Sequence, residues 1–198
     1  MHVRTRLDYP HALTFLTHRG FTETQRMYGL RLAVRNADLI PFWPRVQHLA
    51  ACGIVITTLV DAQRHNPAYL HHLHELQNAV APDWPEPERI PFIPVAFDDF
   101  ARRLEHATQA QPDAFFIAQA GSLYIGYCGL FALGTAVHPD YRNQGVATAL
   151  KVTAIADAQQ RGPATVFTCS ANPVMLAINE KLGYQHKMVE VRLGKPIV

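Results

Sequence analysis

The chain has 198 residues, 48% of them hydrophobic and 17% charged, which is enough for one full domain, part of a second, and a sizeable core. Its 18 basic and 16 acidic residues give a net charge of +2 with no stripe of lysine and arginine, so a nucleic-acid partner is not expected. No apolar run reaches the length of a membrane span, the polar start MHVRTRLDYP does not read as a signal peptide, and Cys52, Cys128 and Cys169 have no CxxC spacing. Together these favour a reducing cytoplasm over a membrane, a disulfide framework or a zinc ribbon.

In chain order, Val3–Arg6 reads as a short strand and Pro10–Arg19 as a helix, opened by proline and stopped by Gly20. A second strand ends near Val34, and a short helix covers 42–52. The β-branched run Gly53–Leu59 predicts a strand, followed by a helix over about 67–80. Five prolines within 81–94 predict an extended loop, and Trp84, Phe92 and Ile93 argue that it is packed. A helix over 97–108 comes next, then a hairpin of Phe115–Gln119 and Ser122–Phe131 around Ala120-Gly121. Leu133–Val137 is a strand, and its connection from Phe131 is very short. Gly145–Gln160 is a helix with Ala147, Leu150, Ala154 and Ala158 on one face. Strand Thr165–Cys169, helix Pro173–Leu182 and strand Tyr184–Leu193 complete the chain. The order predicts an α/β (α+β) fold with a mixed, largely antiparallel sheet flanked by helices.

An internal echo is present. Residues 9–21 (YPHALTFLTHRGF) and 172–184 (NPVMLAINEKLGY) align without gaps, Pro10 on Pro173, Leu13 on Leu176, Phe15 on Ile178, Gly20 on Gly183 and Phe21 on Tyr184. Any strand-helix-glycine-strand unit would give a similar match. The alternative is that 1–40 is the closing part of a first domain, with a second domain over 41–198.

The most informative stretch is Thr135–Leu150, TAVHPDYRNQGVATAL. A strand ends at Val137, and a helix opens at Arg142-Asn143-Gln144-Gly145-Val146-Ala147. The first turn of a helix carries unpaired N–H groups and the positive end of the helix dipole, so it is a cradle for a pyrophosphate. Gly145 lets a ligand approach the backbone, and Arg142 adds a fixed positive charge. The R-x-x-G-x-A spacing is neither a phosphate loop of the Gly-Lys-Ser/Thr kind nor a GxGxxG fingerprint.

This stretch, Val137 through Ala147, resembles the acetyl-CoA signature of the GNAT family of N-acetyltransferases. Asn172 through Tyr184 resembles the family's closing helix and Gly-aromatic step, and the element order of 53–198 is similar too. Residues 1–34 resemble the closing elements of another GNAT domain, as in tandem-GNAT proteins such as mycothiol synthase. The resemblance implies splayed central strands and acetyl-CoA as co-substrate, its pyrophosphate on Gln144, Gly145, Val146, Ala147 and Thr148 beside Arg142 and Asn143. It also implies a pantetheine arm paired to the strand edge at Ala136 and Val137, with a backbone N–H near Val137 aimed at the thioester oxygen. Asn172 would hydrogen-bond the arm. The implied activity is direct acetyl transfer to an amine of a small molecule or peptide. The sequence itself leads to the expectation of no metal and no membrane partner, and a homodimer through 1–40 stays open.

The chain departs from the family in two places. Many members carry a tyrosine four residues before the closing glycine, where it protonates the departing thiolate. Here that position is Asn179, which is left to hydrogen-bond the sulfur or the arm, while Tyr184, Tyr141 or water would supply the proton. The base is also unassigned. An amine like lysine has a pKa of about 10.4, so at pH 7 deprotonation costs roughly 4.6 kcal/mol. The strand Ser122–Phe131 offers Tyr124, Tyr127 and Cys128 but no carboxylate. Glu75 is the candidate base, with a solvated surface glutamate as the other reading. His65, His71, His72 and His74 read as a polar face or pocket lining rather than a metal site. Tyr124, Tyr127 and Phe131 read as core or acceptor-pocket wall, and Cys169 as a buried strand residue. The alternative to an enzyme is a catalytically silent CoA-binding or interaction module.

Overall fold

The structure, a computed structural model, describes residues 1–83, 93–130 and 134–196. In chain order its main elements begin with β1 (His2–Arg6), α1 (Pro10–His18), β2 (Thr22–Ala33), α2 (Trp43–Ala51) and β3 (Ile54–Thr58). They continue with α3 (Leu59–His65), α4 (Tyr69–Val80), α5 (Phe97–Thr108), β4 (Phe115–Ala120), β5 (Leu123–Gly129) and β6 (Gly134–Val137). The last are α6 (Val146–Arg161), β7 (Thr165–Ser170), α7 (Pro173–Lys181) and β8 (Gln185–Gly194). The fold is mixed α/β, with antiparallel strand pairs flanked by helices. The described residues fall into two compact units, one of residues 1–33 and 167–196, the other of 34–83, 93–130 and 134–166. One division between them comes after Ala33.

In the first unit the sheet order is β1-β8-β2-β7, with β8 antiparallel to both β1 and β2. This order makes the sequence echo structural. The units β1-α1-β2 and β7-α7-β8 exchange places when the order is read from the other edge, so each places its last strand beside the other's. Gly20 and Gly183 end the two helices with φ of +77° and +89°, a left-handed conformation that glycine adopts without strain. Phe21, Val191 and Leu193 form the small core, with Val3, Leu13 and Leu16 packed against it.

In the second unit the sheet order is β3-β4-β5-β6, antiparallel throughout. Leu73, Leu76 and Val80 of α4 and Phe100 and Leu104 of α5 bury against Phe115, Ile117, Tyr124 and Tyr127. Tyr124 and Tyr127 share this core although three positions apart. The register shift between Ala118 and Gln119 sets two residues of β5 against one step of β4 and turns both rings the same way. Helix α6 buries Val146, Ala149, Leu150, Val152, Ala154 and Ile155 to 0% exposure, so it is enclosed along most of its length.

Three expectations change. Leu59 belongs to a helix, because Thr58 Oγ1 caps α3 by accepting from Asp61 N at 3.1 Å. Cys169 is exposed, because β7 is an edge strand, and Cys128 is the buried cysteine. Ile93 is 77% exposed rather than packed. The readings of Trp84, Phe92 and Phe131, and of the Phe131–Leu133 connection, lie outside the described residues. Among the described residues no helix is long and apolar enough to cross a membrane.

Candidate functional site

β6 is the last strand of its sheet, and its register determines which backbone groups face outward. His138 N donates to Ile125 O at 2.8 Å, and Ala136 and Val137 lie opposite Tyr127 and Gly126. In an antiparallel pair these partnerships alternate, so Ala136 and His138 turn their N–H groups toward β5. Thr135 and Val137 turn theirs to the open edge. Of the two residues expected to pair with an added strand, Val137 therefore has the outward N–H. Arg142 Nε donates to Val137 O at 3.2 Å, which ties the following turn to this edge.

The turn itself is built from unusual backbone. His138 opens it, its Nδ1 accepting from Asp140 N at 3.3 Å. Gln144 Nε2 donates to Asp140 O at 3.1 Å, a contact within the turn. Asn143 has φ of +61° and Gly145 +88°, with Gln144 between them, so successive N–H groups do not point along one helix axis. Gly145 caps α6, and Ala149 N donating to Gly145 O at 3.0 Å closes the first turn. The N–H groups of Val146, Ala147 and Thr148 precede that bond and belong to the orphan donors of a helix start. Val146 is fully buried and anchors the turn, whereas Asn143 and Gln144 are exposed.

A Cβ on Gly145 would lie 2.6 Å from Arg45 Cδ and 3.1 Å from Arg45 Nε. The room left by the glycine is thus taken by an arginine from α2. Sequence reasoning missed Arg45, which carries no local motif.

In the other unit, Asn172 is the N-cap of α7, its Oδ1 accepting from Val174 N at 2.9 Å and Met175 N at 3.3 Å. Its carboxamide oxygen is therefore engaged, and its Nδ2 is the group left to donate. Asn179 is 1% exposed, and its Oδ1 is buried without a hydrogen-bond partner among the described residues. Tyr184 is 4% exposed.

Glu75 lies on the outer side of α4, its side chain 69% exposed and 3.5 Å from His72 Nδ1. The neighbouring histidines have separate contacts. His71 stacks on Phe97, His74 Nε2 lies 2.6 Å from Val95 O, and the His72 ring is 5.4 Å from Tyr124. Tyr127 donates its hydroxyl to Gln77 Oε1 at 2.8 Å, and burial pushes its pKa well up. Tyr124 Oη accepts from Asn66 Nδ2 at 3.2 Å. Both tyrosines stay protonated at neutral pH and act as hydrogen-bonding groups, not as bases. Lys151 of α6 is 3% exposed, and burial lowers its pKa.

Comparison with known proteins follows this geometry. Residues 73–184, more than half of the chain, match the model of the acetyltransferase (GNAT) family. A GCN5-related N-acetyltransferase of Sphaerobacter thermophilus superposes with a TM-score of 0.70 at 16% identity, over 98% of this chain and 59% of that one. A GCN5-related glucosamine N-acetyltransferase region of a fungal multi-domain β-N-acetylglucosaminidase gives 0.66 at 11% identity, over 94% of this chain and 23% of that one. A tandem GNAT protein of the clavulanic acid biosynthesis pathway gives 0.60 at 18% identity, over 95% and 60%. At these identities the likeness is one of fold, and this chain spans at most about three fifths of the three solved chains. No curated protein matches by sequence.

Proposed function

The chain belongs to the acetyltransferase (GNAT) family, and from that premise we propose that it is an acetyl-CoA-dependent N-acetyltransferase passing the acetyl group directly to an amine. One observation carries this reading: among the described residues, the strand edge at Val137 is open, and the turn over 138–145 takes the chain from it to a helix start whose capping residue, Gly145, is left-handed at φ +88°. The residues fit the group, since the cradle has orphan N–H donors at the start of α6, a glycine cap and a guanidinium from Arg142 in the same turn.

When bound, acetyl-CoA supplies an activated acyl group on a thiol leaving group. The chain's own residues would do the rest. Backbone N–H groups of Gln144 through Thr148 hold the pyrophosphate, with Arg142 and Asn143 beside them. The Val137 N–H, turned outward by the register, donates to the carbonyl oxygen as its charge grows. The family resemblance assigns Asn172 and Asn179 to the amide-rich arm, and Asn172 Nδ2 and Asn179 Oδ1 are the donor and acceptor they have for it. Glu75, next to His72, is the proposed base for the acceptor ammonium. The acceptor is an amine of a small molecule or peptide, the setting is cytoplasmic, and residues 1–40 are the closing elements of a preceding GNAT-like unit. The internal two-fold echo supports that last reading.

The second reading, a silent CoA-binding module, is favoured by Asn179 standing where an acid is common and by the exposure of Glu75. A calorimetric titration with acetyl-CoA, followed by an amine panel scored by free-thiol release, separates them. Binding with amine-dependent thiol release supports the transferase, binding without release supports the module, and no binding rejects both.

A further inference from the structure

We propose that Arg45 of α2 is an anion clamp for this cradle, its guanidinium closing on the pyrophosphate of the CoA thioester; the inference rests on the acyl-donor reading above. The first argument is steric. Arg45 Cδ, Nε and Cγ lie 2.6, 3.1 and 3.2 Å from where a Cβ of residue 145 would be, so the side chain occupies room that only glycine leaves.

The second argument is electrostatic. The start of α6 carries the positive end of a helix dipole, and Arg142 stands in the same turn. A cation is disfavoured there. Arg45 also sits in the first turn of its own helix, α2, which is the wrong end for a positive charge. The side chain is exposed, and among the described residues no carboxylate lies within ion-pairing distance of it. A guanidinium that could extend into water instead lies along the positive end of another helix. An anion between them makes that placement favourable.

The third argument is chemical. α2 packs along α6 and buries Leu49 to 4% exposure, so the arginine is delivered from a packed helix and not from a loose loop. Guanidinium N–H groups lie parallel in one plane and match two oxygens of a phosphate or diphosphate ester. Arg45 would thus cover from the side an anion whose other oxygens take backbone N–H groups of α6.

The test is calorimetric binding of CoA, 3′-dephospho-CoA and 4′-phosphopantetheine to the wild type, Arg45→Ala and Arg45→Lys. Arg45→Ala should weaken CoA and 3′-dephospho-CoA alike by about tenfold, the worth of one charged hydrogen bond. 4′-Phosphopantetheine, which lacks the diphosphate, should weaken by less than about threefold. Arg45→Lys should recover part of the loss, because it keeps the charge and loses the fork. Affinity for CoA that is unchanged or tighter in Arg45→Ala overturns the clamp. A loss confined to CoA overturns it too, since Arg45 would then read the 3′-phosphate. A wild type that binds no CoA overturns the acyl-donor reading itself, which is visible before any variant is compared.

Discussion

Arg142 Nε donates to Val137 O at 3.2 Å, joining the turn that makes the cradle to the strand edge that would take the pantetheine arm. The contact satisfies an edge carbonyl and leaves the Val137 N–H as the outward group of that residue. We expect Arg142→Ala to weaken CoA about tenfold. Because Arg142 is exposed, stability should fall by less than about 1 kcal/mol. Calorimetry and urea denaturation on the same preparation check both figures. A loss of stability without a loss of affinity would reduce Arg142 to a structural tie.

Gly145 and Gly162 provide a matched pair at the two ends of α6, each with φ of +88°. Alanine at either position incurs the left-handed penalty of roughly 1–2 kcal/mol. A Cβ at 162 meets nothing within 4 Å, whereas one at 145 meets Arg45 at 2.6 Å. Gly145→Ala should therefore lose at least as much stability as Gly162→Ala, and it alone should also lose CoA affinity, because it displaces Arg45. Equal affinities in the two variants would mean that the placement of Arg45 over Gly145 does not matter to the ligand.

These contrasts indicate what the sequence could and could not convey. Helix α5 and the β4–β5 hairpin were legible because their signals are local: an amphipathic face, and Gly121 at φ +57° in the turn. The cradle was legible because it lies within one turn of chain. Helix α3 was not, because Thr58 is at once a β-branched strand former and a helix cap, and its bond to Asp61 decides for the cap. Arg45 was illegible because its role depends on the packing of α2 against α6. The side of α4 on which Glu75 lies also emerged only from the packing of Leu73 and Leu76.

The internal repeat isolates Asn179. In the ungapped alignment its counterpart is Leu16, which packs against the apolar core of the same sheet unit. The fold thus accepts an apolar residue at this place, yet the second copy buries a carboxamide whose Oδ1 has no partner among the described residues. A buried unsatisfied acceptor costs about 1–3 kcal/mol. Asn179→Leu, which keeps the same number and branching of side-chain heavy atoms and removes the polar ones, should therefore raise stability by about 1 kcal/mol and weaken CoA by several-fold. Higher stability with unchanged affinity would remove Asn179 from the ligand site.

Glu75 can be tested without disturbing the fold, since its side chain is 69% exposed. Glu75→Gln should leave stability within about 0.5 kcal/mol and CoA affinity unchanged. With a turned-over amine, kcat should fall by about a hundredfold. His72→Asn should lower kcat as well if the pair acts together. An unaltered kcat in Glu75→Gln would assign this glutamate to the solvated face of α4 and send the search for a base to the amine's own side of the site.

Lys151 gives a pH signature that does not depend on any ligand. It is 3% exposed on α6, and burial lowers its pKa, with Cys128 opposing that shift. The unfolded chain holds the lysine proton up to the ordinary value of about 10.4, and the folded chain gives it up earlier. Between those two values the unfolded state binds more protons, so this group's contribution makes stability rise with pH. Below the folded value both states are charged and the penalty is constant. Lys151→Met removes the penalty, so it should be more stable than the wild type by on the order of 1 kcal/mol at pH 7. The gap should shrink as the pH approaches 10. Burial raises the Cys128 thiol pKa and the Lys151 charge opposes that shift, so Lys151→Met removes the opposition and the opposite alkaline slope from Cys128 is steeper in the variant, which narrows the gap near pH 10 further. Urea denaturation of both proteins at pH 7 and near pH 10 measures the gap. A gap that stays constant would mean that Lys151 holds its proton as firmly inside the fold as in water.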